Sequence, residues 1–284
     1  MRGLWAIPIM AVSLFAANTA TYEQALQLYN KTEYKGAVAM LKSLPQNAAT
    51  LELLGRSYLM EAEFRKASDV LEKAAAQDPD NSMIWTWLGR AYGRRAETSF
   101  ALSAMGLANK ARESFERAVQ LDPKNLEAVN DLFMYYVEAP GMVGGGHDKA
   151  RNLLPLIGKM DPAEAEFAHA QLAERAKEQR SAEGHLREAI QLAPREVGRF
   201  LDLALYLARH GRFEESESVF LQAEKVDPAT PRLLFARAEA LINAHRDLAK
   251  ARALLQKYLS APNLTPNDPP RSEALKLLRK AQGS

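Results

Sequence analysis

Residues that could carry chemistry are few in this 284-residue chain, and they do not converge. The best candidate is the stretch 139–149, Ala-Pro-Gly-Met-Val-Gly-Gly-Gly-His-Asp-Lys, in which Gly141 and Gly146 have the spacing of a phosphate-binding loop. Such a loop needs Lys and then Ser or Thr after its second glycine, the Lys to reach the phosphates and the hydroxyl to hold Mg2+. His147 and Asp148 stand there instead, and the preceding residues read as a helix where a strand is required. His147 beside Asp148 could supply an acid–base pair or metal ligands, yet His169, His185, His210 and His245 follow at wide intervals, with no His-Glu-x-x-His spacing. There is no Gly-x-Ser-x-Gly elbow and no cysteine nucleophile, and the Asp and Glu residues are scattered as on solvated helix faces. No catalytic residue, cofactor or metal ligand is therefore expected, and the chain reads as no enzyme.

Stepping from these residues to the elements that carry them, the composition is 47% apolar and 25% charged, the balance of a folded protein and not of a disordered one. A formal charge of +2 provides no basic field, so a nucleic-acid partner is not expected. The absence of cysteine removes disulfides, thiolate metal sites and a cysteine-linked lipid anchor, leaving packing as the source of stability. Residues 1–20 differ from the rest: Arg2 is followed by an almost wholly apolar run from Leu4 to Ala17, closed by the small residues Ala16, Ala17, Thr19 and Ala20. That layout predicts a secretory signal peptide, or an N-terminal anchor in which residues 3–20 stay in the inner membrane. The run only approaches the length a bilayer requires, and Pro8 interrupts it. The expected location is exported, periplasmic or secreted, with membrane contact only through this segment if it is left uncleaved.

Beyond the leader the chain repeats itself at a period near 34 residues. In one copy Leu54, Gly55 and Tyr58 mark one helix face, and Phe64, Ala67, Leu71 and Ala74 mark another before Pro79. Small Gly55 and Ala67 let the two helices approach, and Pro79 ends the second. Helices of about a dozen residues are marginal alone in water, so a repeat holds its shape only by stacking on its neighbours. The next copy carries Trp85, Leu88, Gly89, Tyr92, Ala111, Phe115, Ala118 and Pro123. Others follow at Leu132, Tyr136, Ala150, Leu154 and Pro162; at Ala170, Ala182, Ala189 and Pro194; and at Leu203, Gly211, Phe213, Phe220, Ala223 and Pro228. Degenerate copies flank them at Ala25, Tyr34, Ala37 and Leu41, and at Ala238, Ala251 and Leu255.

This pattern of Trp, Leu-Gly, Tyr, Ala, Phe, Ala and Pro resembles the tetratricopeptide repeat over nearly the whole of the chain after the leader. The resemblance implies an all-α fold, a right-handed helical-hairpin solenoid of about seven such repeats over residues 21–265, with a C-terminal capping helix over residues 266–284. It also implies that the first helix of each repeat lines a concave groove, which would turn Glu52, Arg56, Leu59, Arg90, Arg94, Asn130, Met134, Phe167, Leu201 and Leu205 inward. Arg56, Arg90 and Arg94 could then form a basic ladder for a carboxylate or an acidic peptide, or a plain solvated helix face. The family's carboxylate clamp is not matched, since Trp87 and Asp131 occupy two of its positions.

Two copies depart from the period. From Tyr58 to Ala67 is nine residues, whereas Tyr92 to Ala111 is nineteen and Tyr136 to Ala150 is fourteen, so ten and five residues are inserted between the helices of two successive repeats. Parallel stacking predicts the two turns side by side on one edge. The first insertion carries Phe100, Leu102, Met105 and Leu107, too apolar for a free loop, and predicts a helical extension that packs. The second, with four glycines and Met142, predicts an ordered turn needing positive φ or close backbone approach. Both resemble stretches of exported bacterial tetratricopeptide proteins.

The function expected is a protein–protein interaction scaffold of the bacterial cell envelope or periplasm, binding a protein or peptide in the groove or on the inserted edge. The candidate contact residues are Arg56, Arg90, Arg94, Asn130, Met134, Phe100, Met105, Met142 and His147. The alternative is an accessory protein of an envelope transport system that binds a small ligand or lipid, with the apolar insertion residues folded over the groove as a lid. Self-association through an unsealed N-terminal repeat is a third reading.

Overall fold

The computed structural model describes residues 8–283, with side chains from Ala17 onward; the leader residues Arg2 and Leu4 to Ile7 lie outside the described residues. The described residues fold into sixteen α-helices and one short 3-10 turn, with no strand among them. In chain order the first fifteen helices form seven consecutive pairs, the second member of the fourth pair being broken in two, and one last helix follows. By contact the chain divides into two compact units, Met1–Ser114 and Phe115–Ser284.

The N-terminal unit contains α1 (Pro8–Asn30), α2 (Tyr34–Leu41), α3 (Ala48–Met60), α4 (Phe64–Gln77), α5 (Ser82–Glu97) and the first part of α6 (Ala101–Leu121). α1 runs unbroken through the expected leader boundary at residue 20. No helix of the described residues is long and apolar enough to cross a membrane. Helix starts are set by side chains that accept the first free amides: Asn47 from Thr50 N at 2.9 Å and Asn81 from Met83 N at 3.1 Å. The close approach assigned to Gly55 is present, since a Cβ there would lie 2.4 Å from Leu71 Cγ. Ala67, Leu71 and Ala74 are buried against it. Burying a Leu of this kind contributes about 1.5–3 kcal/mol, which is how helices too short to stand alone persist.

The C-terminal unit continues with α7 (Leu126–Glu138), the 3-10 turn (Gly141–Val143), α8 (His147–Arg151), α9 (Leu154–Met160), α10 (Pro162–Arg175), α11 (Gln179–Leu192), α12 (Val197–Arg209), α13 (Phe213–Val226), α14 (Pro231–Asn243), α15 (Leu248–Leu259) and α16 (Arg271–Gln282). The second helix of the fourth pair is split into α8 and α9. Pro155 sits in the first turn of α9, where its missing amide is harmless, but it could not continue α8. Phe200, Leu203, Leu207, Val219 and Phe220 form the centre of one core cluster. A second packs Leu255 and Tyr258 against Ala274 and Ala281 of α16.

A feature the sequence pattern did not expose is the regular turn inside a pair. Thr32, Ala62, Lys177, Gly211 and His245 each occupy the left-handed region, with φ between 51° and 77°, and only one of them is glycine. Each sits just past a first helix and turns the chain into the second. The third and fourth pairs have no residue of this kind at that position, because there the insertions make the turn.

Candidate functional site

On the N-terminal unit, α1, α3 and α5 bring aromatic rings and guanidinium groups into one stack. The Arg56 guanidinium lies 4.8 Å from the ring centres of both Tyr29 and Trp87, and Arg90 lies 4.4 Å from the Trp87 ring. Two of the three candidate arginines therefore share one indole ring, each at a distance favourable for a cation over a π-system. Arg56 also donates to Glu52 at 3.4 Å. Burial pushes the Glu52 carboxyl above its ordinary range, with Arg56 opposing, and raises Tyr22 likewise, with Glu52 adding to it. The Tyr29 hydroxyl, Trp87 Nε1 and Arg56 Nε are buried without an acceptor. The stack is thus rich in donors and poor in acceptors. Arg94 stands one turn further on, over the Phe64 ring at 5.2 Å and 3.0 Å from Glu97.

The first insertion is helical, as its composition predicts, because α5 and α6 both extend toward a short turn at Thr98 to Phe100. It does not pack as predicted. Phe100 is 92% exposed and Leu102 88%, and Met105 is also exposed. The reason is reach: the lengthened hairpin carries its tip beyond the side chains of its own unit. A lid folded onto a groove would be covered, and these side chains are not.

The second insertion is an ordered turn. Gly144 adopts φ 89°, and a Cβ on Gly145 would lie 1.8 Å from the Ala139 carbonyl oxygen, so the two glycines meet the two needs separately. The turn is closed by Gly146 N–H to Tyr136 O at 2.8 Å and by the Tyr135 hydroxyl to Val143 O at 2.8 Å. His147 opens α8 and is partly exposed, while Met142 projects with 74% exposure.

The C-terminal unit carries a polar ladder that sequence reasoning caught only at its first rung. Asn130 of α7 donates to Glu164 of α10 at 3.0 Å, and Arg199 of α12 donates to the other oxygen of Glu164 at 2.5 Å. Arg232 of α14 continues the same register, 3.4 Å from Asp268. These positions recur at the repeat period, and that recurrence was the available signal. Met134, one turn beyond Asn130, is partly exposed, and Leu201, expected in the groove, is instead buried in the core. His169 and His185 stack at 5.1 Å, with His185 Nδ1 2.6 Å from Glu166. Burial lowers His169, with His185 adding to it. Among the described residues no group of three or more His, Asp or Glu is placed to hold a metal.

Comparison with known proteins agrees with this geometry. A family profile described as Tetratricopeptide repeat matches residues 52–97 and 201–269, and a second of the same description matches residues 99–125, together half of the chain. No curated protein matches the sequence. Among solved structures, a tetratricopeptide repeat protein from Parabacteroides merdae superposes with a TM-score of 0.59 at 16% identity, covering 94% of this chain and 99% of that one. A chain of the APC/C hetero-tetramer Cut9-Hcn1 superposes at 0.50 with 15% identity, covering 90% of this chain and 48% of that one. At such identities the likeness is one of fold, and it is the same fold that the helix pairs, their period and the matched profiles describe: the chain belongs to the tetratricopeptide repeat proteins.

Proposed function

We propose that this protein is an exported, non-catalytic scaffold of the bacterial cell envelope or periplasm that holds a partner protein, residues 1–20 serving as its leader, residues 21–265 as the repeat array and residues 266–284 as its cap. The observation that carries the reading is where apolar surface is left open. Seven large apolar side chains are exposed among those described, and four of them, Phe100, Leu102, Met105 and Met142, belong to the two inserted turns. Folded chains leave such side chains open singly and by chance; concentration in segments that break the repeat marks a surface meant to be covered. Phe100 and Met105 on the N-terminal unit and Met142 on the C-terminal unit are the apolar anchors in this reading, with His147 following the same turn as Met142. Arg56, Arg90 and Arg94 supply positive charge on the first-helix face, where an acidic stretch of the partner finds donors already gathered around Trp87. Asn130 and Met134 play the corresponding polar and apolar parts in the C-terminal unit.

The test is crosslinking of the chain in its native envelope fraction, beside a variant carrying Phe100→Ser, Leu102→Ser, Met105→Ser and Met142→Ser, with circular dichroism to show that both fold. A protein crosslinked to the first and lost from the second is expected. Recovery of the same protein by both would remove the inserted turns from the interface, and fractionation with the cytoplasmic proteins would end the envelope assignment.

A further inference from the structure

Between the sixth and seventh helix pairs the chain departs from its own repeat at two places that meet. Leu54, Leu88, Leu132 and Leu203 hold one position of the first helix, and each is buried. One period after Leu203 that position is Arg237. Its side chain keeps only 13% of its surface accessible, stands 3.2 Å from Glu217 and 3.1 Å from Glu224, and leaves its Nε buried without an acceptor. Packing gives no reason for a guanidinium in a leucine's place, since burying a charge costs free energy that burying an alkyl group does not.

The second departure is in the turn. Elsewhere a single residue, Glu33, Glu63, Glu178 or Arg212, separates the left-handed residue from the second helix. In the seventh pair two do, Arg246 and Asp247, and Asp247 is itself left-handed at φ 37°. The lengthened turn carries the Arg246 guanidinium over the ring of Phe213 at the start of α13, 4.2 Å from its centre.

Between these two features lies a cavity of about 460 Å3, walled by the start of α13, the last two turns of α14 and the start of α15. That volume is within the range of small-molecule sites. Phe213 and Phe220 stand two turns apart on α13 and give one wall an apolar length of about 10 Å, with Leu241 and Ala244 on another. Phe220 is buried and closes the inner end, whereas Arg246 and Lys250 are exposed at the mouth. Three cationic side chains, Arg237, Arg246 and Lys250, and two carboxylates, Glu217 and Asp247, complete the lining, an excess of one positive charge. The Arg237 charge is met by its two glutamates, and the Asp247 side chain accepts from Lys250 N at 3.0 Å. Among the described residues no carboxylate ion-pairs with Arg246 or Lys250. The cavity thus joins an apolar interior to a cationic mouth.

We propose that this cavity binds a small amphipathic monocarboxylate, its head taken by the fork of Arg246 and by Lys250 and its apolar body lying along Phe213 toward Phe220. A dianion exceeds the single excess charge, a cation is repelled by Arg246, and an uncharged apolar molecule leaves the mouth unanswered. The site belongs to the sixth and seventh pairs, not to the inserted turns of the third and fourth, and it stands or falls independently of the partner binding proposed above.

The experiment titrates the full chain, observed by amide NMR, with octanoate, butanoate and octylammonium. Octanoate is expected to shift the amides of Phe213, Leu241 and Lys250 saturably. Butanoate, which keeps the head and loses most of the body, and octylammonium, which keeps the body and reverses the charge, should each bind at least about tenfold more weakly. Arg246→Gln with Lys250→Gln changes only exposed side chains, and should weaken octanoate by about tenfold while circular dichroism stays that of the parent. Ala244→Leu, which puts a larger side chain into the cavity, should weaken octanoate with both cations in place. Octylammonium binding as tightly as octanoate, unchanged octanoate binding by the double variant, or shifts confined to residues 100–107 would each overturn the proposal.

Discussion

Asp202→Asn should make the protein more stable at pH 8, and the reasoning can be worked through with its sign. Burial pushes the Asp202 carboxyl up to about 7, with Arg199, Arg209 and Arg232 opposing and Glu164 reinforcing the rise. Its folded-state value then lies above its unfolded value, so between about pH 4 and pH 7 the native state binds the extra proton. The stability this group contributes is therefore full below about pH 4 and lost as pH rises through about 7. Three pH units correspond to a ceiling of about 4 kcal/mol. The side chain keeps 28% of its surface accessible, and solvent screening brings the expected cost of the ionised form to about 2 kcal/mol. Asparagine keeps the shape and carries no charge, so it should recover that amount at pH 8 and almost none at pH 4. For a unit of this size about 2 kcal/mol is a rise in Tm of about 4–8 °C. Calorimetric melts of both proteins at pH 4 and pH 8 read the effect. A variant less stable than the parent at pH 8 would refute the reasoning, because it would mean that the ionised carboxylate is held favourably by Arg199.

Other residues give equally direct tests. Gly145→Ala drives a Cβ into the Ala139 carbonyl oxygen, a backbone atom that cannot yield cheaply, and should cost about 2–3 kcal/mol in urea unfolding. Ala62→Gly and Lys177→Gly relieve left-handed backbone at φ 60° and φ 62°; against the extra chain entropy of glycine, each should gain about 0.5–1 kcal/mol, read as a higher denaturation midpoint. Phe100→Ser with Leu102→Ser removes only exposed side chains and should leave stability within about 0.5 kcal/mol, while a marked loss in the melt would show that the tip packs after all. Trp87→Ala takes away the ring that Arg56 and Arg90 share and should cost about 3–5 kcal/mol.

Much of the fold is legible in the sequence because the repeat writes the same packing rule many times. Gly55 against Leu71, buried Ala67, Ala118 and Ala223, and the helix stop at Pro79 are positions where one residue type fits one local need. What periodicity does not encode is equally specific. Ala62 and Lys177 occupy left-handed backbone with no sequence sign of it, because stacking stabilises the pair enough to override the local preference. Pro155 was visible, but its splitting of α8 from α9 depends on Asn152 and Leu153 closing the turn between them. The arginine stack was half legible: Arg56 and Arg90 are identifiable by register, whereas their shared dependence on Trp87 and Tyr29 needs the distances. Asp202 was hidden for the opposite reason. One more acid on a helix reads as solvated, and only the crowding of four carboxylates around Arg199 sets it apart.

These cases share a physical logic. Where a side chain repeats with the period, its role is already accounted for by neighbour packing, and mutating it tests the fold. Where the chain departs from the period, packing supplies no reason for the residue, and something else must. Phe100 and Leu102 leave the period by length and end in solvent; Asp202 keeps its place on α12 but shares its ion-pair partner, Arg199 at 3.8 Å, with three other carboxylates. Both departures cost stability, one as exposed apolar area and the other as a buried carboxylate crowded by like charge. A stability gain on removing Asp202 and a neutral result on removing Phe100 and Leu102 are therefore two forms of the same expectation: residues that neighbour packing does not require add nothing to the fold that displays them.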